Sequence, residues 1–130
     1  MSEASMQRPA PAQTVETRPF WEAANRGELL YGHCTACGQV HYYPRKHCPH
    51  CFSTQVEWRR SSGKGVVHSY SIVANRDQPY VLAYVTIEEG VAIFTNIVAS
   101  PLDAIKIDAS VEVVFEAAAD GQNVPVFKLV

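Results

Sequence analysis

The fold of this chain is decided by the stretch CTACGQVHYYPRKHCPHC, residues 34–51, which holds all four cysteines of the 130-residue sequence. The cysteines form two Cys-x-x-Cys pairs, and the two intervening residues let one tight turn present both sulfurs of a pair to the same point. Two such turns that face each other make a tetrahedral site of four thiolates. The sequence therefore predicts a zinc ribbon or rubredoxin-like module whose metal ligands are Cys34, Cys37, Cys48 and Cys51.

A four-thiolate site accepts either zinc or iron. Zinc is favoured because structural zinc sites are the commoner use of this motif, and iron is the alternative. The protein fills all four positions of the tetrahedron, so no position is left for water or substrate. We therefore expect the metal to stabilise the fold, and we assign it no catalysis.

The N-terminal segment indicates that these cysteines stay reduced. It has no charged region followed by an apolar stretch, as a secretion signal has, and no run near about 18 apolar residues occurs in the chain. The sequence therefore predicts a cytoplasmic protein without a membrane span. A reducing compartment disfavours disulfides and favours metal binding by paired cysteines.

The second half of the chain has the composition of β-structure. Runs rich in β-branched and aromatic residues, separated by turn residues, cover residues 66–73, 80–87, 91–98, 111–115 and 124–130. Only the link from the third run to the fourth is long enough for something other than a hairpin. So short a segment buries its apolar face best by closing into a barrel, and five strands with a longer third connection are typical of an OB-fold.

The region before the ribbon divides into a tail and a short helix. The first 16 residues show no apolar period and predict a mobile tail. Thr17 is an N-cap candidate, Pro19 lies in the first turn and Gly27 stands just past the end, which together predict one helix. The expected organisation is mainly β: a tail (1–16), an N-terminal helix (17–32), a zinc ribbon (33–60) and a five-stranded OB-fold barrel (61–130).

Charge is unevenly distributed along the chain. The net charge is −2, but residues 61–130 carry four basic and eight acidic side chains, a balance of −4. OB barrels that bind single-stranded nucleic acid need a positive groove, so this balance argues against a nucleic-acid partner. Two basic pairs, Arg45–Lys46 and Arg59–Arg60, are each able to hold one or two phosphates, which fits a phosphorylated small molecule better than a polymer.

Several short motifs around the cysteines extend the pattern in both directions. Before and within the ribbon they are PFWE (19–22), GEL (27–29), YPR (43–45) and EW (57–58), and after it GxGVVxSYS (63–71), PYV (79–81), GV (90–91), VxVVFE (111–116) and PVF (125–127), where x is any residue. With the ribbon spacing, this order resembles the family of zinc-ribbon plus OB-fold proteins associated with acyl-CoA. The resemblance covers residues 17–130. One departure is Ile107-Asp108-Ala109, where the family has a glycine before the fourth barrel strand.

The resemblance implies a function as well as a fold. Members are non-catalytic partners of thiolase-type enzymes, including thiolase-like aldolases, and of enoyl-CoA hydratases, and they help to form the path for CoA. By this analogy Arg45 and Lys46, or Arg59 and Arg60, are expected to meet the phosphates of CoA. A second set of residues is expected to form the surface for the partner enzyme or ligand: Phe20, Trp21 and Tyr43.

Two other functions are compatible with parts of the pattern. An OB-fold nucleic-acid-binding protein with a zinc ribbon has the same architecture, although the acidic barrel opposes it. A rubredoxin-like electron carrier has iron in the same four-cysteine site. No nucleophile, base and oxyanion site can be assembled from the sequence, so we assign no catalytic residue.

Overall fold

The structure is a computed structural model that describes residues 8–43, 45–74 and 79–130. In chain order its elements are α1 (Arg18–Asn25), β1 (Leu30–Cys34), β2 (Val40–His41), β3 (Val56–Arg60), β4 (Lys64–Val73), β5 (Tyr80–Ile87), β6 (Ala92–Ile97), a 3-10 turn (Leu102–Ala104), β7 (Ser110–Ala117) and β8 (Asn123–Leu129). Residues 75–78, which fall between the predicted strand runs 66–73 and 80–87, and the first seven residues of the predicted tail lie outside the described residues. The mainly β architecture, with one short helix, a cysteine ribbon and a five-stranded barrel, is confirmed.

Helix α1 ends where the position of Gly27 predicts. The N–H of Glu28 donates to the C=O of Ala23 at 2.9 Å, and Gly27 between them has a φ of 77°. This is a Schellman ending, which favours a residue without a Cβ at the left-handed position. Thr17 stands at the N-cap position, but its hydroxyl makes no capping bond and accepts the N–H of Thr14 at 2.9 Å instead. Among the described residues, no helix has the length and apolarity needed to cross a bilayer.

The inner face of α1 joins the helix to the barrel. Phe20 and Trp21 belong to the same buried cluster as the barrel core. Side-chain amides strengthen this junction: Gln122 Nε2 donates to the C=O of Trp21 at 2.9 Å, and the N–H of Asn123 donates to Asn25 Oδ1 at 2.9 Å. The helix is too short to be stable alone, so these tertiary contacts hold it in place.

The ribbon is a three-stranded antiparallel sheet in the order β2-β1-β3. Its register places Gly32 of β1 opposite His41 of β2. A Cβ added to Gly32 would lie 2.4 Å from two atoms of the His41 ring, so the imidazole packs directly on the glycine backbone. The absence of a side chain at Gly32 is what allows His41 to be buried.

The remaining strands close into a barrel in the order β4-β5-β6-β8-β7. Strand β4 completes the closure, because Gly65 pairs with Ile87 of β5 on one side and with Val111 of β7 on the other. The inward side chains are mostly β-branched, as expected for strands that are packed on one face. The interior includes Val67, Val81, Val85, Ile93, Val111 and Phe127.

The long third connection, between β6 and β7, contains a single 3-10 turn. Asp108, the middle residue of the departure at Ile107-Asp108-Ala109, has a φ of 69°. Its N–H donates to the C=O of Val67 at 2.8 Å. Aspartate is one of the few residues besides glycine that visit the left-handed region, so this turn forms here without a glycine.

Residues 8–16 differ from the mobile tail that was expected. Arg8 forms an isolated parallel bridge with Ala118, and its guanidinium donates to Asn96 Oδ1 at 2.7 Å and to Glu116 Oε1 at 2.8 Å. These charge-assisted bonds attach the segment to the barrel. Local composition did not reveal them because the partners lie far along the chain.

Candidate functional site

The four cysteines of the ribbon come together as their spacing predicts. Their Sγ atoms all lie within 4.8 Å of one another, with 3.6 Å between Cys34 and Cys51 and 3.7 Å between Cys37 and Cys48. A tetrahedron with metal–sulfur bonds of about 2.3 Å has edges of about 3.8 Å. A disulfide needs a sulfur–sulfur distance of about 2.0 Å, and all four cysteines are free. The sulfurs therefore fit one metal ion held by four thiolates.

Two matching turns present these sulfurs. In each turn the N–H of the residue after the second cysteine donates to the C=O of the first, Gly38 to Cys34 and Phe52 to Cys48, both at 2.8 Å. Both donor residues have a positive φ, 79° for Gly38 and 64° for Phe52. This conformation costs a residue with a Cβ about 1–2 kcal/mol. The Phe52 side chain is 76% exposed, so packing within the chain does little to offset that cost.

Replacement of Phe52 by glycine is expected to stabilise the metal-loaded protein by about 0.5–1 kcal/mol. The free energy gained by relieving the strain of the positive φ is larger than the free energy lost through the extra backbone entropy that glycine gives the unfolded chain. Phe52→Ala is the matched control, because it removes the ring but keeps the Cβ and the strain. Chemical denaturation of both variants measures the difference, and equal stabilisation by the two substitutions contradicts this explanation.

The thiol pKa values show why the centre needs a cation. The pKa of Cys34 is lowered to about 7, chiefly because the backbone N–H of Cys37 donates to its sulfur. The pKa of Cys51 is raised to about 12. The hydrogen bond from the backbone N–H of Ser53 lowers this pKa, but burial and the other three thiols together raise it by more. The backbone thus stabilises the first thiolates, while the crowding of sulfurs opposes the last. A bound divalent metal removes that opposition, and its binding releases protons.

A cleft of about 900 Å³ separates the ribbon from the barrel. Its ribbon wall contains β2 and the two tyrosines that follow it, Tyr42 and Tyr43, and its barrel wall is formed by β5, β6 and β8. Within the described part of the chain, the lining has two arginines, Arg8 and Arg45, and no carboxylate. Glu116 neutralises Arg8, whereas Arg45 is exposed. The cleft is thus largely apolar, with Arg45 at its rim; the Glu16 carboxylate lies close by and accepts the backbone N–H of Lys46.

Three side chains of the cleft have buried polar atoms with no hydrogen-bond partner among the described residues. These atoms are Trp21 Nε1, both ring nitrogens of His41 and Arg8 Nε. Leaving such a group unpaired costs about 1–3 kcal/mol, so each of these atoms calls for a partner such as an ordered water. Burial lowers the pKa of His41, and the charges of His50 and Arg45 lower it further. The imidazole is therefore neutral at pH 7 and has one nitrogen to donate and one to accept.

The two basic pairs predicted to meet phosphates occupy different environments. Arg45 lines the cleft, and Lys46 follows it on the exposed surface. Arg59 is bound to Glu57, with 2.7 Å from Nε to Oε2, and this bond raises the pKa of the arginine. Arg60 is the next residue of the same strand, so its side chain projects to the opposite face of the sheet. Of the two pairs, Arg45–Lys46 is the one that adjoins the cleft.

The aromatic residues predicted to form a partner surface also differ in position. Phe20 is 1% exposed and Trp21 is 6% exposed, so the expected surface on the helix is corrected: the apolar face of α1 packs on the barrel. Trp21 still lines the cleft, as does the exposed Tyr43. Sequence reasoning missed Tyr84 and Phe94, two exposed rings that pair across β5 and β6 with centroids 5.1 Å apart. The signal available in the sequence was that both rings occupy outward-facing positions of their strands.

Comparison with known families agrees with this architecture and confirms the resemblance seen in the sequence. Residues 21–57 match the family model described as "ChsH2, rubredoxin-like zinc ribbon domain". Residues 58–116 match the model described as "ChsH2, C-terminal OB-fold domain". The two matches are contiguous and together cover most of the chain.

Relatives of greater and of similar length align with most of this chain. A solved structure described as "Ltp2-ChsH2(DUF35) aldolase" superposes with a TM-score of 0.81 at 30% identity, covering 92% of this chain and 98% of that chain. The probable enoyl-CoA hydratase alpha subunit of Thermomonospora curvata is 34% identical over 127 residues, which are 93% of this chain but 40% of that subunit. A DUF35 domain-containing scaffold protein of Methanothermobacter thermautotrophicus is 35% identical over 109 residues, 78% of this chain and 82% of the scaffold.

This chain therefore spans less than half of the hydratase subunit and most of the scaffold protein. Both family models match in the order in which the ribbon and the barrel occur in the structure. The chain belongs to the ChsH2 (DUF35) family, in which a rubredoxin-like zinc ribbon precedes a C-terminal OB-fold.

Proposed function

We propose that the protein is a non-catalytic accessory subunit that binds acyl-CoA. It works in a complex with a thiolase-type enzyme, including thiolase-like aldolases, or with an enoyl-CoA hydratase. The observation that carries the proposal is the cleft between ribbon and barrel, with its apolar walls and with Arg45, next to Lys46, at its rim. A CoA thioester combines the matching groups, since it has phosphates at one end and an uncharged arm and acyl chain at the other.

The names of the relatives support the choice of partner. One is an enoyl-CoA hydratase subunit, another is part of an aldolase, and others are scaffold proteins. We assign the bond-making chemistry to the partner enzyme, because a centre closed by four thiolates has no open coordination position.

We further propose that the metal is zinc and that the protein is cytoplasmic. Zinc fits the structural role of a closed four-cysteine centre, and thiolates of this kind persist in a reducing compartment. Elemental analysis of the purified protein is expected to find about one zinc per chain. Iron in its place, with the absorption bands of a rubredoxin, favours the electron-carrier alternative.

Charge reversal at Arg45 and Lys46 is expected to weaken binding of acetyl-CoA by about tenfold or more, because the phosphates lose charge-assisted hydrogen bonds. The fold is expected to be unchanged, since exposed charges contribute little to stability. Titration calorimetry of the chain, alone and with a candidate thiolase or hydratase partner, measures the effect.

The matched control for this experiment reverses Arg59 and Arg60, the same change of charge away from the cleft. We expect this variant to bind acetyl-CoA within about twofold of the unmodified chain, since Arg59 is already paired with Glu57. Equal losses of acetyl-CoA affinity in both variants indicate general electrostatic attraction rather than binding at a specific site. The proposed function is wrong if the unmodified protein binds no CoA in either setting and no partner enzyme co-purifies with it.

Single-stranded nucleic acid is expected to bind weakly or not at all at physiological salt. The exposed pair Tyr84 and Phe94 offers a stacking surface, but the balance of −4 over residues 61–130 repels phosphates. Fluorescence titration with oligonucleotides at two salt concentrations tests this expectation. Tight binding that weakens steeply with salt makes nucleic-acid binding the preferred function, ahead of the accessory-subunit function.

A further inference from the structure

A second cavity, of about 470 Å³, adjoins the cleft at Arg45. Tyr43 and Arg45 line both spaces, so the two cavities are neighbours along the ribbon. The opposite wall of the second cavity is formed by the segment that precedes α1, between Ala12 and Thr17. A ligand that extends from the cleft past Arg45 therefore meets the ribbon on one side and the N-terminal segment on the other.

The carboxylate of Glu16 lies in this second cavity. Its Oε2 accepts the backbone N–H of Lys46, the residue that follows Arg45. Carboxylate and phosphate oxygens accept the same charge-assisted bond from a backbone N–H. Glu16 therefore holds a donor of the ribbon to which an oxygen of a ligand phosphate can also bond.

A turn before α1 fixes the backbone of Glu16. The N–H of Thr17 donates to the C=O of Thr14 at 3.1 Å, and the N–H of Thr14 donates to the Thr17 hydroxyl at 2.9 Å. Thr17 is buried, whereas Glu16 is exposed. The carboxylate can therefore rotate away from Lys46 while the backbone stays in place, and its departure breaks no apolar packing.

The contact leaves the positive charges of the ribbon uncompensated. Within the described residues, no carboxylate oxygen lies within 4.0 Å of the side-chain nitrogens of Arg45 or Lys46. Glu16 thus takes one backbone donor and leaves the guanidinium and the ammonium group free. A diphosphate has more oxygens and more negative charge than a carboxylate, so it can bond to the N–H and to the guanidinium together.

We propose that the Glu16 carboxylate is an internal competitor for the diphosphate of the CoA thioester. It covers the N–H of Lys46 in the free protein and leaves when the diphosphate enters the second cavity. This assignment rests on the proposed function and adds the place of the diphosphate. A ligand that binds only the uncovered form has an apparent affinity reduced by the fraction of that form. Glu16 therefore weakens binding of phosphorylated ligands and leaves binding of ligands without phosphates unchanged.

A purely structural role for the same contact predicts the opposite result. If Glu16 only tethers the N-terminal segment to the ribbon, its removal loosens the loop that carries Arg45 and Lys46. Affinity for acetyl-CoA then falls or stays the same. Competition predicts that the affinity rises, so the direction of the change distinguishes the two roles.

Glu16→Ala is expected to bind acetyl-CoA about three- to tenfold more tightly than the unmodified chain. Its affinity for S-acetylpantetheine, which lacks the nucleotide and its phosphates, is expected to stay within about twofold. Glu16→Asp keeps the charge but withdraws the carboxylate by one methylene, so it should also bind acetyl-CoA more tightly. Glu22→Ala is the matched control, because Glu22 is exposed on α1 and lines neither cavity. We expect this control to bind acetyl-CoA within about twofold of the unmodified chain.

A titration with inorganic pyrophosphate, followed by the backbone amide resonance of Lys46, tests the competition without CoA. The resonance is expected to shift, with half-saturation of Glu16→Ala at about three- to tenfold lower pyrophosphate than for the unmodified chain.

The outcomes separate this proposal from the proposed function. Where acetyl-CoA binds, equal or weaker affinity in Glu16→Ala overturns the competition while the proposed function stands. A gain in Glu16→Ala that is absent in Glu16→Asp assigns the effect to charge repulsion and also overturns it. If the pyrophosphate result is as expected but acetyl-CoA does not bind, the proposed function fails and the competition stands. No shift of the Lys46 amide with either ligand overturns the proposal.

Discussion

Removal of the metal with a chelator is expected to unfold the ribbon first, over residues 33–51, while the barrel keeps its strands. The ribbon has little core of its own: β2 is two residues long, and Cys34 and Cys48 are among its few fully buried side chains. Structural zinc contributes about 10–16 kcal/mol of apparent binding free energy in small cysteine modules. The barrel interior is built from a separate set of aliphatic side chains and does not depend on the metal.

Hydrogen exchange read by mass spectrometry measures the effect by segment. After chelation, peptides from residues 33–51 are expected to exchange fully within seconds, and peptides from β5 and β7 to keep their protection. Cys34→Ser should give the same pattern without a chelator, whereas Ser53→Ala, a substitution beside the centre that spares every sulfur, should not. Retained protection in the ribbon after complete loss of metal contradicts the structural role assigned to the centre.

Gly65→Ala is expected to lower the free energy of unfolding by about 2–3 kcal/mol. A Cβ at Gly65 would lie 2.6 Å from the backbone oxygen of Thr86 and 3.1 Å from Cα of Ile87. Backbone atoms of a paired strand cannot rotate away as a flexible side chain can. The substitution therefore forces β4 and β5 apart at the place where β4 also pairs with β7.

Chemical denaturation followed by circular dichroism measures the loss. His68→Ala, at an exposed position of the same strand, is the control and is expected to change stability by no more than about 0.5 kcal/mol. A variant at Gly65 as stable as the control contradicts the close approach of β4 and β5. The metal content of both variants should match that of the unmodified chain, because the substitutions lie outside the ribbon.

Local chemistry made most of the fold predictable. The spacing of four cysteines indicates the metal centre without any knowledge of distant residues, and the β-branched runs, interrupted by turn residues, indicate the strands. Gly27 ends the helix where its position predicts, because a Schellman ending depends on neighbours in sequence.

Features that depend on distant parts of the chain were not predictable in this way. Arg8 was assigned to a mobile tail because its partners, Asn96 and Glu116, belong to the barrel. Phe20 was assigned to a surface because a helix sequence alone does not show what covers its apolar face.

The closure of the barrel by β4 and β7 has a consequence for folding kinetics. These strands are the first and fourth of the barrel in sequence, so two strands, β5 and β6, lie between Gly65 and Val111 along the chain. Contacts of such long sequence separation form late, because the chain loses entropy in closing the loop before the new contacts stabilise it. Until then the edges of β4 and β7 are bare, and association between unfinished barrels competes with closure. The yield of refolded protein should therefore fall as the chain concentration during refolding rises.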